Sequence, residues 1–373
     1  MANNNENGNT LVLITGCSGY IGSHCVKLLL KEGYRVRGTV RSLKNSAKVD
    51  PVRILDTDGR LELVEADLLE PSGWKKAVKG CQYVLHVASP FPLVADEGCI
   101  KTAIEGTLNV LKAVAGDGNI KKVVLTSSCA AVNEGQPQDK IFDETNWTNI
   151  ETKGVDNYTK SKTLAEREAW NFLESLPKEK RFALTVINPT LVFGPMLITE
   201  QGASISLIRR FMDFCQMPAT PPLNMALVDV RDVARAHLEA MRRPETDGER
   251  ILVASTPSIW FRDVARTLRK EFSSQGYKIP RIQAPYLMVW MFSFFDAEVA
   301  SSLPRLNVEI RFNNRKSIQL LGLKYHNVED TILEMAYSAI EQGVIKKSGQ
   351  YKGVPKKYQQ EIIEEDKVEN SRM

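Results

Sequence analysis

The chain has little from which to build a disulfide framework or a metal site. Its six cysteines stand singly at 17, 25, 81, 99, 129 and 215, with no Cys-x-x-Cys pair, and its four histidines are equally scattered. Isolated thiols read as reduced, and no metal ligand set is expected. The first ten residues are polar and Asn-rich, without the apolar core of a secretory signal. The most apolar run, 285–295, is far below the roughly 20 residues that span a bilayer, so no transmembrane segment is expected. No block of like charge stands out: 49 Lys and Arg face 45 Asp and Glu, a net charge of +4. Such a balance gives no support to a nucleic-acid partner. There is no internal repeat. These absences leave the expectation of a cytoplasmic globular protein, long enough for one large α/β unit or two joined ones.

What is present is an alternation. An apolar, β-branched run, Leu11 to Thr15, meets a glycine turn, Gly16-Cys17-Ser18-Gly19-Tyr20-Ile21-Gly22. A helical pattern follows, with Ile21, Cys25, Leu28 and Leu29 on one stripe. Further strands are predicted at 35–40, 61–66, 83–88, 122–126 and 182–187, with helices near 74–79, 99–115 and 155–176. Strands separated by helices pair in parallel through right-handed crossovers, which predicts an α/β fold with a doubly wound parallel sheet. Ligands of such sheets bind beyond the C-terminal strand ends, where Gly16, Arg41, Asp67, Ala88, Ser128 and Pro189 fall. After Pro189 the rhythm loosens. The expected organisation is a disordered segment over 1–10 and a dinucleotide-binding domain over 11–190. A smaller, mainly substrate-binding domain takes 191–350, with segments such as 226–254 returning to the sheet, and 351–373 is a charged tail.

The glycine turn suits a diphosphate: a tight turn, backbone access, and free N–H groups at a helix start. NAD-binding units end the second strand with a carboxylate for the ribose 2′-hydroxyl. Here that strand ends Gly38-Thr39-Val40-Arg41, with Lys44 and Lys48 following. A cation in that place fits a 2′-phosphate and so NADP, against the plainer reading of Arg41 as a surface cation. Asp67, closing the third strand, is a candidate for the adenine amino group or a helix cap.

Tyr158 and Lys162 lie at i and i+4, on one face of a predicted helix. Of ten tyrosines, only Tyr158 has a lysine four residues on. A free phenol is a poor acid at neutral pH, and a neighbouring cation is expected to lower its pKa. Ser128, at the end of the fifth strand, is placed to hold a carbonyl oxygen.

Together with His86-Val87-Ala88-Ser89-Pro90, Thr126-Ser127-Ser128, 188–195 and 228–234, these motifs resemble the extended short-chain dehydrogenase/reductase family. Gly38 to Arg41 and Ser161 to Glu166 are similar to its dihydroflavonol reductase and aldehyde/ketone reductase branch. The Gly-x-x-Gly-x-x-Gly spacing of the loop fits that family rather than the Gly-x-Gly-x-x-Gly of many dehydrogenases. The resemblance covers about 11–343. It implies an NADPH-dependent reduction of an aldehyde or ketone, with Tyr158 as general acid, Lys162 tuning it and binding the nicotinamide ribose, and Ser128 positioning the carbonyl. It implies NADP(H) contacts from Gly16, Gly19, Tyr20, Ile21, Gly22, Arg41, Lys48, Asp67, Leu68, Ala88 and Pro189. Ser89, Phe91 and Asn133 are the substrate candidates. Two departures point away from plant-pathway substrates toward a general carbonyl reductase. Ala226 stands where a polar residue is expected, and 157–162 lacks the Asn-Trp-Tyr-Cys-Tyr-Gly-Lys signature of cinnamoyl-CoA reductases. The competing readings are a 3β-hydroxysteroid dehydrogenase-like enzyme, suggested by 285–295, and a non-catalytic NADP-sensing regulator. The run itself reads as a buried or substrate-covering helix, with a lid, a dimer contact or a membrane-surface element as alternatives. A monomer or homodimer acting on a small molecule is expected.

Overall fold

The computed structural model describes residues 7–89, 96–199 and 202–362. Seven strands form the central sheet: β1 (Leu11–Thr15), β2 (Arg35–Val40), β3 (Leu61–Glu65), β4 (Tyr83–His86), β5 (Lys122–Thr126), β6 (Ala183–Pro189) and β7 (Arg250–Val253). Their order is β7-β6-β5-β4-β1-β2-β3, and every neighbouring pair is parallel. Val12 lies opposite Val36 of β2 and Tyr83 of β4. The strand order therefore reverses on either side of β1. The loops leaving β1 and β4 part there and open a crevice at the C-terminal edge.

The connections are α1 (Tyr20–Lys31), α2 (Ser46–Ile54), α3 (Pro71–Val78), α4 (Glu97–Asp117) and α5 (Asn157–Ser175). After β6 come α6 (Ala203–Met212) and α7 (Val230–Arg242). Side chains of a strand alternate between faces, and β1 shows it. Val12 and Ile14 join Cys25 and Leu29 of α1 and Val233 and Leu238 of α7 in one core. Leu11 and Leu13 join Trp74 of α3, Leu111 of α4 and Ala169 of α5 in another. Both faces are dry, so these strands read as apolar runs rather than alternating ones.

Then follow α8 (Phe261–Phe272), α9 (Tyr286–Phe292), α10 (Ala297–Ser302), α11 (Arg315–Leu321), α12 (Val328–Glu341) and α13 (Lys356–Ile362). A third core gathers Ile208 and Phe211 of α6, Leu268 and Phe272 of α8, and Ile332 and Tyr337 of α12. Sequence pattern finds six sheet strands and expects segments such as 226–254 to return to the sheet. The seventh, β7, lies beside β6 because α7 packs on the sheet next to α1 and returns the chain to its edge.

Two expectations need correction. The segment from 351 is not wholly a solvated tail: Tyr358 is buried, its hydroxyl donates to Asp330 at 2.8 Å, and its ring lies 5.9 Å from Tyr337. Its Lys- and Glu-rich composition conceals two aromatic anchors, Tyr358 and Tyr351, whose ring lies 6.3 Å from Tyr337. Residues 1–6 and 363–373 lie outside the described residues. The run 285–295 is not a buried helix either. It contributes α9, in which Val289 alone is buried, against a small cluster of Ala219, Ala284 and Leu306.

Candidate active site

The glycine loop follows β1 at the crevice. Gly16 adopts a left-handed φ of +66°, and a Cβ there would stand 3.0 Å from the Ala88 Cβ. A Cβ on Gly22 would stand 2.2 Å from the Gly16 carbonyl oxygen, which no side chain permits. The loop closes on itself as Gly19 N–H donates to the Gly16 carbonyl at 3.0 Å. The first helical bond of α1 runs from Ser23 N–H to the Gly19 carbonyl at 2.9 Å. The amides of Tyr20, Ile21 and Gly22 thus precede the ladder, where an anion is best received. The Tyr20 side chain turns elsewhere: its hydroxyl donates to the Gly194 carbonyl at 2.7 Å. His24 contacts the Pro195 carbonyl at 2.9 Å, so α1 is clamped to the chain beyond β6.

Arg41 is exposed directly after β2, and Lys48 lies on α2. The Asp67 carboxylate accepts from Leu69 N–H at 2.9 Å, closing its own turn rather than capping α3, whose N-cap is Glu70. Leu68 packs on α4, where a Cβ at Gly106 would meet the Leu68 Cβ at 2.9 Å. Ala88 N–H donates to the Thr15 hydroxyl at 2.9 Å. The same hydroxyl is hydrogen-bonded to His86 Nδ1, 2.8 Å away. The other ring nitrogen, Nε2, is buried and has no partner. Burial, and secondarily the Lys162 charge, push His86 down to about 3. Beyond Pro189, Thr190 Oγ1 is likewise buried and unpartnered. Orphaned polar atoms along the edge that carries the glycine loop fit a bound ligand that supplies their partners. The residues present therefore fit a dinucleotide.

Ser128 caps a short 3-10 turn, Cys129–Ala131, its hydroxyl accepting from Ala130 N–H at 3.1 Å. The same hydroxyl is hydrogen-bonded to the Tyr158 phenol. Asp156 starts α5, accepting from Thr159 N–H at 2.7 Å, which puts Tyr158 in the first turn and Lys162 one turn on. Lys162 Nζ lies 5.8 Å from the Tyr158 ring centre, and the lysine is 7% exposed. The expected lowering of the tyrosine pKa is not found. Burial pushes the Tyr158 phenol well above its ordinary value, against the opposing Ser128 bond. The same burial lowers Lys162 to about 8. Desolvating both groups outweighs an attraction acting across a ring.

Of the substrate candidates, Asn133 is buried beside this turn with its Oδ1 unpartnered, and Ser89 is half-buried after β4. Phe91 lies outside the described residues.

Sequence reasoning missed the support behind Ser128. Glu166 of α5 is buried; it pairs with Arg250 of β7 at 2.5 Å and accepts from Ser127 at 2.6 Å and Asn188 at 2.8 Å. Asn188 also donates to the Ser128 carbonyl at 3.1 Å. Arg250 stacks 3.6 Å over Trp147 and donates to the carbonyls of Glu144 and Asn146. The available signal was one charge on the apolar face of a helix and one inside an apolar strand, which are buried only as partners.

Residues 12–254 match the sequence profile of the NAD dependent epimerase/dehydratase family. The chain is 36% identical over 345 residues to a cinnamoyl-CoA reductase, CAD2, of Medicago truncatula, covering 90% of this chain and 97% of the relative. It is 31% identical over 348 residues to the NADPH-dependent methylglyoxal reductase GRE2 of Saccharomyces cerevisiae, covering 87% and 96%. The crystal structure of yeast methylglyoxal/isovaleraldehyde reductase Gre2 complexed with NADPH superposes with a TM-score of 0.74. The two are 28% identical over 90% of this chain and 99% of that one.

Proposed function

Because the chain belongs to the NAD dependent epimerase/dehydratase family, in the branch of the dihydroflavonol and aldehyde reductases, we propose that Tyr158 is the general acid of an NADPH-dependent reduction of an aldehyde or ketone to an alcohol. The protein is an oxidoreductase acting on CH–OH groups, with NADP(H) as its cofactor. The observation that carries the finer reading is the meeting of Ser128, Tyr158 and Lys162 at one strand edge, beside the glycine loop.

The cofactor, when bound, supplies a hydride to the carbonyl carbon. Tyr158 supplies the proton. Burial keeps its phenol protonated throughout the physiological range, so the proton is in place, and the strongly basic oxygen left when hydride reaches the carbonyl carbon is what draws it off. Ser128 orders that phenol through its hydroxyl and is the second donor for the substrate oxygen. Once Tyr158 has given up its proton, the Lys162 ammonium, 5.8 Å from the ring centre, is a cation facing the phenolate. Its own attachment would be to the nicotinamide ribose. The amides of Tyr20, Ile21 and Gly22 would take the diphosphate, Gly16, Gly19, Ala88 and Pro189 would give it room, and Asp67 and Leu68 would line the adenine. Arg41 and Lys48 would receive the 2′-phosphate. Ser89 and Asn133 face the substrate in this reading, and the unpartnered Asn133 Oδ1 offers it an acceptor.

The test is Tyr158→Phe. It should bind NADPH as the unaltered protein does and lose turnover of aldehydes and diketones by about 10²–10⁴-fold. Turnover within a few fold of the original removes Tyr158 from the chemistry. NADPH binding without reduction of any carbonyl by the unaltered protein would instead favour a sensor.

A further inference from the structure

The apolar run that the chemistry leaves unused is displayed, not hidden. Between 282 and 295, Ile282 is 63% exposed, Leu287 64%, Phe294 68% and Phe295 89%, with Trp290 half-exposed and set edge-to-face on Phe294 at 4.8 Å. Soluble monomers seldom expose large apolar side chains in one contiguous stretch without a partner for them. The stretch is also held in place. Thr220 N–H donates to the Ile282 carbonyl at 3.0 Å at one end, and Asn307 N–H to the Pro222 carbonyl at 2.7 Å at the other. Arg305 adds ion pairs to Glu134 at 3.3 Å and Asp156 at 3.8 Å.

Ile282 has a second neighbourhood. It lines a shallow surface cavity together with Arg262, Arg266 and Arg269 of α8 and with Arg281. Asp263 is the carboxylate paired into this cluster, 2.9 Å from Arg266 and 3.9 Å from Arg262. Arg269 is spent partly on the Pro280 carbonyl. Four arginines against one aspartate leave a concentrated positive charge at the edge of an aromatic and aliphatic patch. Apolar side chains with cations at one end, where Ile282 meets the arginines, fit a layer that is hydrocarbon inside and anionic at its surface. Among the described residues no helix is long and apolar enough to cross a membrane, so the fit is to the surface.

We propose that 282–295 and the α8 arginines form a docking face for an anionic phospholipid bilayer, with Leu287, Trp290, Phe294 and Phe295 entering the headgroup region and Arg262, Arg266 and Arg281 meeting lipid phosphates. The full-length protein is sedimented with phosphatidylcholine vesicles and with vesicles carrying about 30% phosphatidylserine. Partition onto the anionic vesicles should exceed that onto the neutral ones at least tenfold and should weaken with added salt. Each arginine changed to glutamine (Arg262→Gln, Arg266→Gln) should lower it about fivefold. Phe294→Asp with Phe295→Asp should abolish it, while thermal stability and turnover of a small water-soluble aldehyde stay unchanged. Trp290 emission should shift to the blue on binding, a shift missing in Trp290→Ala. Absence of binding to either vesicle, or equal binding to both, overturns the proposal. So does a dimer in solution that Phe294→Asp dissociates, since the patch would then belong to a second copy.

Discussion

At the scale of single residues, the site depends on what burial does to two protons. Tyr158 is held protonated and Lys162 is brought to about 8, so the lysine and not the tyrosine titrates near physiological pH. A lysine whose pKa is lowered is charged below that value and neutral above it. With kcat/KM reporting the free enzyme, reduction should be level at pH 6–7 and fall above about 8. The limb should be absent in Lys162→Met, whose residual rate is uniformly low. Arg41 belongs to the same scale. Each charge-assisted bond to a phosphate is worth about 1.5–3 kcal/mol. Arg41→Ala should therefore raise the KM for NADPH roughly tenfold or more while leaving that for NADH unchanged. Equal losses with both cofactors would show that Arg41 reads something other than the 2′-phosphate.

At the scale of elements, three pieces of backbone meet behind Ser128, and one buried ion pair holds them. Glu166 brings α5, Arg250 brings β7, and Asn188 of β6 ties the Ser128 carbonyl to both. Removing one partner of a buried pair strands the other charge, at a cost of about 3–5 kcal/mol. Arg250→Met should lower unfolding stability by that amount in denaturant titrations. Arg250→Met with Glu166→Leu should recover much of it, because no charge is then left unpaired. Sequence offered two charges in apolar settings, but not that they pair with each other. The i, i+4 spacing of Tyr158 and Lys162 is local and could be read directly, whereas Glu166 and Arg250 are 84 residues apart and meet only because β7 lies beside β6.

At the scale of the whole molecule, the sheet and the third core are joined by a polar seam between α7 and α12. Arg231 pairs with Asp229 through two bonds of 2.8 Å and with Glu334, and Thr331 donates to Asp229 at 2.7 Å. Asp232 accepts from the His326 ring at 2.6 Å, and that bond raises the histidine's pKa. A raised histidine stabilises fully below its unfolded pKa of about 6.5 and loses the contribution as pH climbs through the folded value. His326→Ala should therefore destabilise more at pH 6 than at pH 8.5. The difference should stay under about 1 kcal/mol, since the side chain is 42% exposed and screened. Denaturant titrations of both proteins at the two pH values check this, and an equal loss at both would remove the charged histidine from the seam.

From the sequence alone come the parallel, doubly wound sheet, the glycine loop, and Ser128, Tyr158 and Lys162 as a candidate set. Each is written in short-range spacing: alternating runs, a turn that only glycine permits, two side chains one helical turn apart. Tertiary structure decided the rest. It set β7 beside β6, turned 285–295 outward, packed Tyr358 against α12, and raised the tyrosine that a nearby lysine was expected to lower. Those outcomes depend on which surfaces are withdrawn from water, and burial is a property of residues distant in the chain.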